Sequence, residues 1–175
     1  MAVNRSRKEF YTVPFVWDKT LWVMTFACFA LWIGLSGWFL FQIFTTDGND
    51  MALLGSLILV NVIFLPTILA CEGLAPQRLE IGAEAIVILR RYKSIVLNRE
   101  DIKSIEPLTK GDMRGVIRTC GVGGLFGYFG HYYSTKLGSF KLFATSFENL
   151  YLIKLWNGKT IVLSCAEPDK MDKFI

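Results

Sequence analysis

Histidine is the scarcest chemically active residue in this chain. The 175 residues include one, His131, which excludes a metal site built from several histidines. The cysteines show no CxxC spacing, so we interpret them as reduced structural thiols; they are Cys28, Cys71, Cys120 and Cys165. Cys120 and His131 would supply a thiol and a base, but the sequence offers no residue that orients the pair or lowers the thiol pKa. We therefore expect no catalytic set, no metal and no cofactor.

Phosphate-binding and nucleic-acid-binding patterns are missing as well. No G-K-[ST] motif occurs, and a G-x-G-x-x-G motif that began at Gly121 would need a glycine where Phe126 stands. The net charge is +4, but acids interrupt the basic positions, so no single basic stripe results. These acids include Glu80, Glu84, Glu100, Asp101, Glu106 and Asp112. The composition argues against a nucleic-acid partner.

Charge is absent from two long apolar runs. Residues 21–44 and 51–71 hold 24 and 21 residues without Asp, Glu, Lys or Arg. A helix needs about 20 apolar residues to cross ~30 Å of hydrocarbon, so each run is long enough to span a bilayer. The first run exceeds the apolar core of a signal peptide, and no small-residue cleavage site follows it. With residues 45–50 as the connection, the pattern predicts a transmembrane helical hairpin over residues 21–71.

Basic residues lie on one side of this hairpin. The connection contains two Asp and no base, whereas bases precede the first run and follow the second. They are Arg5, Arg7, Lys8 and Lys19 before the hairpin, and Arg78, Arg90, Arg91 and Lys93 after it. Because Lys and Arg near a membrane stay cytoplasmic during insertion, we expect both termini in the cytoplasm and residues 1–20 as a cytoplasmic tail. Residues 72–77 are too few for a long tether, so the remaining chain is expected to lie close to the bilayer.

Small and polar residues within the runs predict where the two helices meet. Ala30 and Gly34 form a small-xxx-small pair in the first run, and Asn61 would form an interhelical hydrogen bond from the second. A solute or proton site at Asn61 is the alternative, but two helices without an ionisable residue make a poor transport path. We therefore interpret Ala30, Gly34 and Asn61 as helix–helix contacts.

The chain from residue 75 to residue 175 is predicted to be a β-rich domain with a short C-terminal helix. Gly82-Ala83-Glu84 and Asn157-Gly158 are typical of hairpin turns, the second of type I′. Pro168 is placed to begin a helix. The chain ends after about two turns of this helix, which suggests a truncated sequence. The apolar residues of the helix, Met171, Phe174 and Ile175, are expected to cap an open end of the strands. The eight candidate strands are 78–81, 85–90, 94–97, 102–108, 126–134, 140–145, 150–156 and 160–165.

An anchor, a run of strands and one C-terminal helix resemble the membrane-anchored bacterial PH-domain (pleckstrin-homology-like) proteins. The resemblance is carried by Arg118-x-x-Gly121-x-Gly123-Gly124-Leu125-Phe126-Gly127-Tyr128-Phe129-Gly130, by Leu137-Gly138 and Ala144-Thr145, and by Ile161-Val162-Leu163-Ser164 before Pro168 and Phe174. It implies an α+β membrane protein in which a PH-like β-barrel or sandwich follows the hairpin, without established catalytic residues or a settled ligand. It also implies the bacterial inner (cytoplasmic) membrane as the location.

The glycine- and aromatic-rich segment has a structural and a ligand-binding interpretation. In the structural one, glycines allow bulges and positive φ at a barrel corner that aromatic rings fill; the residues are Gly121, Gly123, Gly124, Phe126, Gly127, Tyr128, Phe129 and Gly130. In the other, nearby bases and backbone amides bind an anion or a partner, and the candidates are Arg114, Arg118, Tyr128, Tyr132 and Lys136. A third interpretation places Arg90, Arg91 and Lys93 against anionic lipid. A specific phosphoinositide site is not expected, because the first hairpin turn contains Glu84.

These observations predict a non-catalytic, membrane-tethered binding or assembly module. The expected partners are the lipid bilayer, a membrane protein or peptide, and a second copy of the chain. The alternative is an accessory or regulatory subunit of a larger membrane enzyme or transporter that acts through its transmembrane helices.

Overall fold

The computed structural model describes residues 10–46 and 50–174. These residues form three α-helices, ten strands and one 3₁₀ turn at Arg99–Asp101. The helices are α1 (Lys19–Thr45), α2 (Met51–Leu74) and α3 (Pro168–Asp172). The strands are β1 (Tyr11–Pro14), β2 (Arg78–Ile81), β3 (Ala85–Leu89), β4 (Ile95–Asn98), β5 (Ile102–Leu108), β6 (Ile117–Gly123), β7 (Tyr128–Ser134), β8 (Gly138–Ala144), β9 (Leu150–Leu155) and β10 (Thr160–Ser164).

The two apolar runs form helices α1 and α2, which pack against each other. Each is preceded by an aspartate whose carboxylate caps the first turn: Asp18 accepts from the Leu21 amide at 2.7 Å, and Asp50 accepts from the Ala52 amide at 3.0 Å. Both helices are long and apolar enough to cross a membrane, and almost none of their most apolar stretches is buried against the rest of the chain. The predicted helices are therefore present. Arg5, Arg7 and Lys8, and residues 47–49 of the connection, lie outside the described residues.

The first sheet contains four antiparallel strands in the order β1-β2-β3-β4. Its edge strand β1 comes from residues 11–14, which the sequence placed in a tail. Thr12 faces Glu80 and Val13 faces Leu79 in the register with β2. Val13 is fully buried, so this short strand belongs to the core. The pairing of β1 with β2 therefore links the segment that precedes the helical hairpin to the segment that follows it.

The second sheet contains six strands in the order β5-β9-β10-β8-β7-β6. All neighbours are antiparallel except β8 and β10, which run parallel with Ile161 opposite Lys141. One face packs against the first sheet around Ile153 and Leu163. The other packs against the start of α1 and the β5–β6 connection, with Leu21 and Val162 fully buried. The sheets remain open, so the expected PH-like barrel or sandwich is present in a loose form.

Two local expectations from the sequence differ from the structure. Residues 117–123 form β6, paired with β7, although the glycines there favoured a bend. The Asn157-Gly158 hairpin is present, but its turn is not of type I′, because Gly158 has a positive φ of 79° and Asn157 does not. The Gly158 amide donates to the Leu155 carbonyl at 3.0 Å, and the Leu155 amide donates to the Lys159 carbonyl at 2.9 Å. This is a three-residue loop closed by a left-handed glycine.

The short helix α3 closes one end of the space between the sheets. Met171 is fully buried and Phe174 is 5% exposed, both in the core that the two sheets share. The Arg99 guanidinium lies over the Phe174 ring, 4.7 Å from its centroid. The predicted capping by Met171 and Phe174 is therefore present; Ile175 lies outside the described residues.

Candidate functional site

The glycine- and aromatic-rich segment contacts the beginning of α1. The Thr25 hydroxyl donates to the Gly124 carbonyl at 3.2 Å and accepts from the Phe126 amide at 3.3 Å. Thr25 is 6% exposed, so both bonds are shielded from water. The Phe126 ring packs edge-on against the rings of Trp17 and Phe29, 6.1 Å from each centroid. The β6–β7 turn is thus fixed to the second turn of α1.

Backbone conformation explains why this segment needs its glycines. Gly121 and Gly130 face each other across β6 and β7 with φ of 148° and 127°. A Cβ on Gly121 would collide with the Phe129 carbonyl oxygen, and a Cβ on Gly130 with the Cys120 carbonyl oxygen. The β6 and β7 backbones can approach this closely only without side chains at the pair. The motif therefore shapes an edge hairpin and its docking turn.

A second set of hydrogen bonds joins β7 and the end of β8 to Asp18, which caps α1, and to the nearby Val16. The Tyr128 hydroxyl donates to the Asp18 carboxylate, 3.3 Å from Oδ1 and 3.4 Å from Oδ2. The Thr145 hydroxyl donates to the Val16 carbonyl at 2.8 Å, and the Asp18 amide donates to the Thr145 carbonyl at 3.0 Å. Burial, with the Asp18 carboxylate as a further cause, raises the pKa of Tyr128 to about 12, so this hydroxyl keeps its proton at neutral pH.

The β3–β4 loop contacts the end of α2 in the same manner. The Tyr92 hydroxyl donates to the Leu69 carbonyl at 3.1 Å, and the Tyr92 amide donates to the Gly73 carbonyl at 3.1 Å. The Tyr92 ring lies so close to Gly73 that a Cβ there would collide with it. Arg91 pairs with Glu72 at 2.8 Å. The loop that carries Arg90, Arg91 and Lys93 therefore lies beside the last two turns of α2.

Asn61 joins the two long helices as the sequence predicts, but Gly34 does not. The Trp32 indole donates to Asn61 Oδ1 at 3.2 Å, and Asn61 Nδ2 donates to Ser36 Oγ at 3.4 Å. A Cβ on Gly34 would meet no heavy atom within 4 Å, and Ala30 is exposed on the same side. Trp32 and Ser36 of α1 are therefore the partners of Asn61, and the space beside Gly34 is open within this chain.

The five candidate ligand residues do not converge on one point. Tyr128 and Tyr132 are buried, and the Tyr132 hydroxyl donates to the Val122 carbonyl at 2.9 Å. Arg118 is exposed and lies across Gly123, close to the Tyr132 hydroxyl. The Lys136 ammonium lies 3.8 Å from the Asp112 carboxylate. Asp112 belongs to the β5–β6 connection, which also carries the exposed Arg114. Arg118 and Lys136 thus have different neighbours, and both tyrosine hydroxyls already have acceptors.

Cys120 and His131 are direct cross-strand partners in β6 and β7. Both are exposed, and Lys141 of β8 continues the same row. Among the described residues, no group of three or more His, Cys, Asp or Glu is placed to hold a metal ion. The row is therefore a polar strip on the part of the six-stranded sheet that the smaller sheet leaves uncovered.

That uncovered part forms one wall of a cleft of about 800 Å³. The opposite wall is β4, and the floor includes Phe143 and Ile161. A four-stranded sheet cannot cover six strands that lie about 4.8 Å apart, which leaves the part of β7 and β8 around His131 and Lys141 open to solvent, while Phe129 and Phe143 remain buried. Four bases and one carboxylate are among the described residues that line the cleft: Arg90, Lys93, Lys141, Lys159 and Asp101, together with His131.

Sequence reasoning missed several residues of these contacts. Asp18 precedes an apolar run as an N-cap residue does, and that signal was readable. Thr25 is a hydroxyl within an apolar run, which carries no signal for a partner 99 residues away. The Tyr92 contact depends on how the β3–β4 loop meets α2, and the cleft depends on how the two sheets are placed; no local pattern specifies either.

Comparison with known proteins identifies the family of the domain. The family described as "Bacterial PH domain" matches residues 77–175. No curated protein and no solved structure matches the chain. The matched segment covers more than half of the chain and includes β2 to β10 and α3. The chain therefore belongs to the bacterial PH-domain family.

Proposed function

We propose that this protein is a non-catalytic binding or assembly module held at the cytoplasmic face of the bacterial inner membrane. PH domains are generally binding modules, and the chain adds two helices that are long and apolar enough to span a membrane. The observation that carries the proposal is the double attachment of the domain, through Thr25 and Asp18 to α1 and through Tyr92 to α2. A partner therefore meets the domain at the bilayer surface.

The pairing of β1 with β2 supports the proposed topology. These strands lie before and after the helical hairpin and form one antiparallel ladder. If both helices span the bilayer, both ends of the hairpin must lie on the same side. The bases near those ends, such as Lys19 and Arg91, favour the cytoplasm.

Reporter fusions test this proposal. Alkaline phosphatase, which is active only outside the cytoplasm, is expected to be inactive when it is fused after Ile175 and active when it is inserted in residues 45–50. A fluorescent protein fused at the same two places should give the opposite pattern. Phosphatase activity after Ile175 would overturn the proposed topology and with it the cytoplasmic location of the domain.

A further inference from the structure

The basic cleft runs along β4 and away from the β3–β4 loop, which contacts the end of α2. The near end is formed by Arg90 and Lys93, which belong to the loop that contacts α2 through Tyr92. The far end is formed by the β9–β10 turn with Lys159, where the Trp156 amide donates to the Asp101 carbonyl at 2.9 Å, just beyond the end of β4. Lys141 lies between these ends. Positive charge therefore continues along the length of β4.

Strand β4 presents a free edge to this cleft. Within the described residues β4 pairs with β3 only, and Ile95, Val96 and Leu97 line the cleft. The Arg99 amide donates to the Glu84 carbonyl at 2.8 Å, so Glu84 and Arg99 form a hydrogen-bonded pair. Hydrogen-bonded and non-bonded pairs alternate from there along the β3–β4 ladder. By that alternation Leu97 and Ile95 bond to β3, whereas the backbone groups of Val96 and Asn98 point away from β3. The side chain of Val96 is 56% exposed. The edge can therefore accept another strand.

The charge around this edge is one-sided. Arg90, Lys93, Lys141 and Lys159 face the cleft, and its carboxylate, Asp101, accepts a hydrogen bond from Asn98 Nδ2 at 3.1 Å. The Arg90 guanidinium is held by its Nε bond to the Lys93 carbonyl at 2.7 Å and by the Phe143 ring 5.5 Å away. Burial lowers the pKa of Arg90 from its ordinary value, and an acidic ligand opposes that effect.

The length of the cleft distinguishes a peptide from a lipid headgroup. Four residues of β4 extend about 13 Å at ~3.3 Å per residue. The headgroup layer of one leaflet is roughly 5–8 Å thick, so lipid phosphate at the level of α2 reaches Arg90 and Lys93 but not Lys159. An extended peptide fits both the free edge and the full row of bases. Alternate side chains of such a peptide would point toward Lys141 and Lys159.

We propose that the cleft between β4 and β8 binds an acidic peptide segment in extended conformation, which adds to β4 as a fifth strand of the first sheet. This inference rests on the proposed binding function and specifies the partner as an acidic, unstructured segment. Backbone bonds to Val96 and Asn98 supply general affinity, and the four bases select acidic side chains.

The experiment uses the full chain in nanodiscs of zwitterionic phosphatidylcholine. The probes are fluorescein-labelled octapeptides that alternate Glu with Val or Asp with Thr, each with a matched peptide that carries Lys in place of the acid. The acidic peptides are expected to bind more tightly than their basic counterparts and more weakly as salt rises. The double variant Lys141→Glu/Lys159→Glu should weaken acidic-peptide binding by about tenfold or more. Lys110→Glu and the single variant Lys141→Glu change the net charge equally; Lys110→Glu should leave affinity unchanged, because Lys110 pairs with Glu148 outside the cleft, whereas Lys141→Glu should weaken binding.

Residue-resolved hydrogen exchange tests strand addition directly in the unsubstituted protein. Bound acidic peptide should slow exchange of the Val96 and Asn98 amides and leave those of Ile95 and Leu97 unchanged. Val96→Pro should abolish binding because it removes the edge amide, whereas Val96→Thr retains it.

Equal affinity for acidic and basic peptides, or unprotected Val96, would overturn the inference. Binding of short-chain phosphatidylglycerol that depends on Arg90 and Lys93 but not on Lys159 would assign the cleft to lipid instead. Each of these results is independent of the fusion patterns that test the membrane topology.

Discussion

The Tyr128 hydroxyl and the Leu21 amide both donate to the carboxylate of Asp18. The second bond caps α1 at 2.7 Å, and the first ties that cap to β7 at 3.3 Å, across 110 residues of sequence. One side chain therefore starts the first long helix and attaches it to the domain. Leu21, in the first turn of α1, is fully buried against the six-stranded sheet.

Removal of the Tyr128 hydroxyl should weaken this attachment. Tyr128→Phe is expected to lower the free energy of unfolding by about 1 kcal/mol, because the ring stays and one hydrogen bond to a carboxylate is lost. Urea unfolding of the protein in detergent micelles measures the change. Tyr133→Phe is the control, since the side chain of Tyr133 is 47% exposed. Equal effects of the two variants would contradict a specific contribution from the Asp18 bond.

Substitution of Thr25 should loosen the turn between β6 and β7. Thr25→Val keeps the shape of the side chain but removes both bonds to Gly124 and Phe126. Hydrogen exchange of the Phe126 amide is expected to accelerate by about tenfold, which corresponds to ~1.4 kcal/mol. Thr45→Val is the control, because the Thr45 hydroxyl donates only within α1, to the Phe41 and Gln42 carbonyls. Unchanged exchange at Phe126 in Thr25→Val would show that the hydroxyl does not hold the turn.

The close approach of β6 and β7 predicts a different cost for two glycine substitutions. Gly121→Ala places a methyl group against the Phe129 carbonyl, whereas Gly115→Ala meets open space and must only adopt a φ of 75°. Gly115→Ala should cost about 1–2 kcal/mol for the left-handed conformation. Gly121→Ala should cost more, because the two backbones must also separate. Thermal unfolding of both variants measures the difference, and equal melting temperatures would contradict the steric explanation.

A double-mutant cycle tests the contact between the two long helices. Trp32→Phe and Asn61→Leu each remove the bond between indole and amide, so their effects on hairpin stability should be coupled by about 0.6 kcal/mol. Gly34→Leu is expected to leave hairpin stability unchanged, because a Cβ at position 34 points into open space. Loss of a co-purifying membrane partner in Gly34→Leu, with the domain intact, would favour the alternative role as a subunit that acts through its helices.

Alkaline pH should destabilise the fold through two tyrosines. Burial, together with Asp18 for one and Asp172 for the other, raises the pKa values of Tyr128 and Tyr151 to about 12 from an ordinary 10. Below pH 10 both rings are neutral in folded and unfolded chains, so they add no pH dependence. Between pH 10 and 12 the unfolded chain loses these protons first, and the free energy of unfolding falls. The slope of stability against pH in this window should be smaller in the double variant Tyr128→Phe/Tyr151→Phe; an equal slope would contradict the assignment.

Local sequence patterns predicted the helices and most strands. The elements that these patterns missed, such as β1 and β6, depend on contacts with distant parts of the chain. The apolar runs and Pro168 sufficed for α1, α2 and α3 because each signal lies within its own element. Strand β1 was missed since four residues among charged neighbours form a strand only when β2 pairs with them. Strand β6 was missed because its glycines usually indicate a bend, whereas here they permit two strands to approach closely. The basic cleft depends on the difference in size between two sheets, which no single segment encodes.

The pairing of β1 with β2 also sets the order of events when the protein is made. Residues 10–18 leave the ribosome before the two long helices, whereas their partners in β2, at Tyr128 and at Thr145 appear only after both helices have been synthesised. Both long helices are therefore synthesised before the domain can be completed, and under the proposed topology their insertion can begin before the domain has folded. Strand β1 can pair as soon as β2 is released, but the contacts of Asp18 and Val16 with Tyr128 and Thr145 form only later, and a chain stopped before β7 would expose the buried side of Leu21. The domain can thus be completed only after the whole helical hairpin has been synthesised, because β1 and β2 flank that hairpin in the sequence.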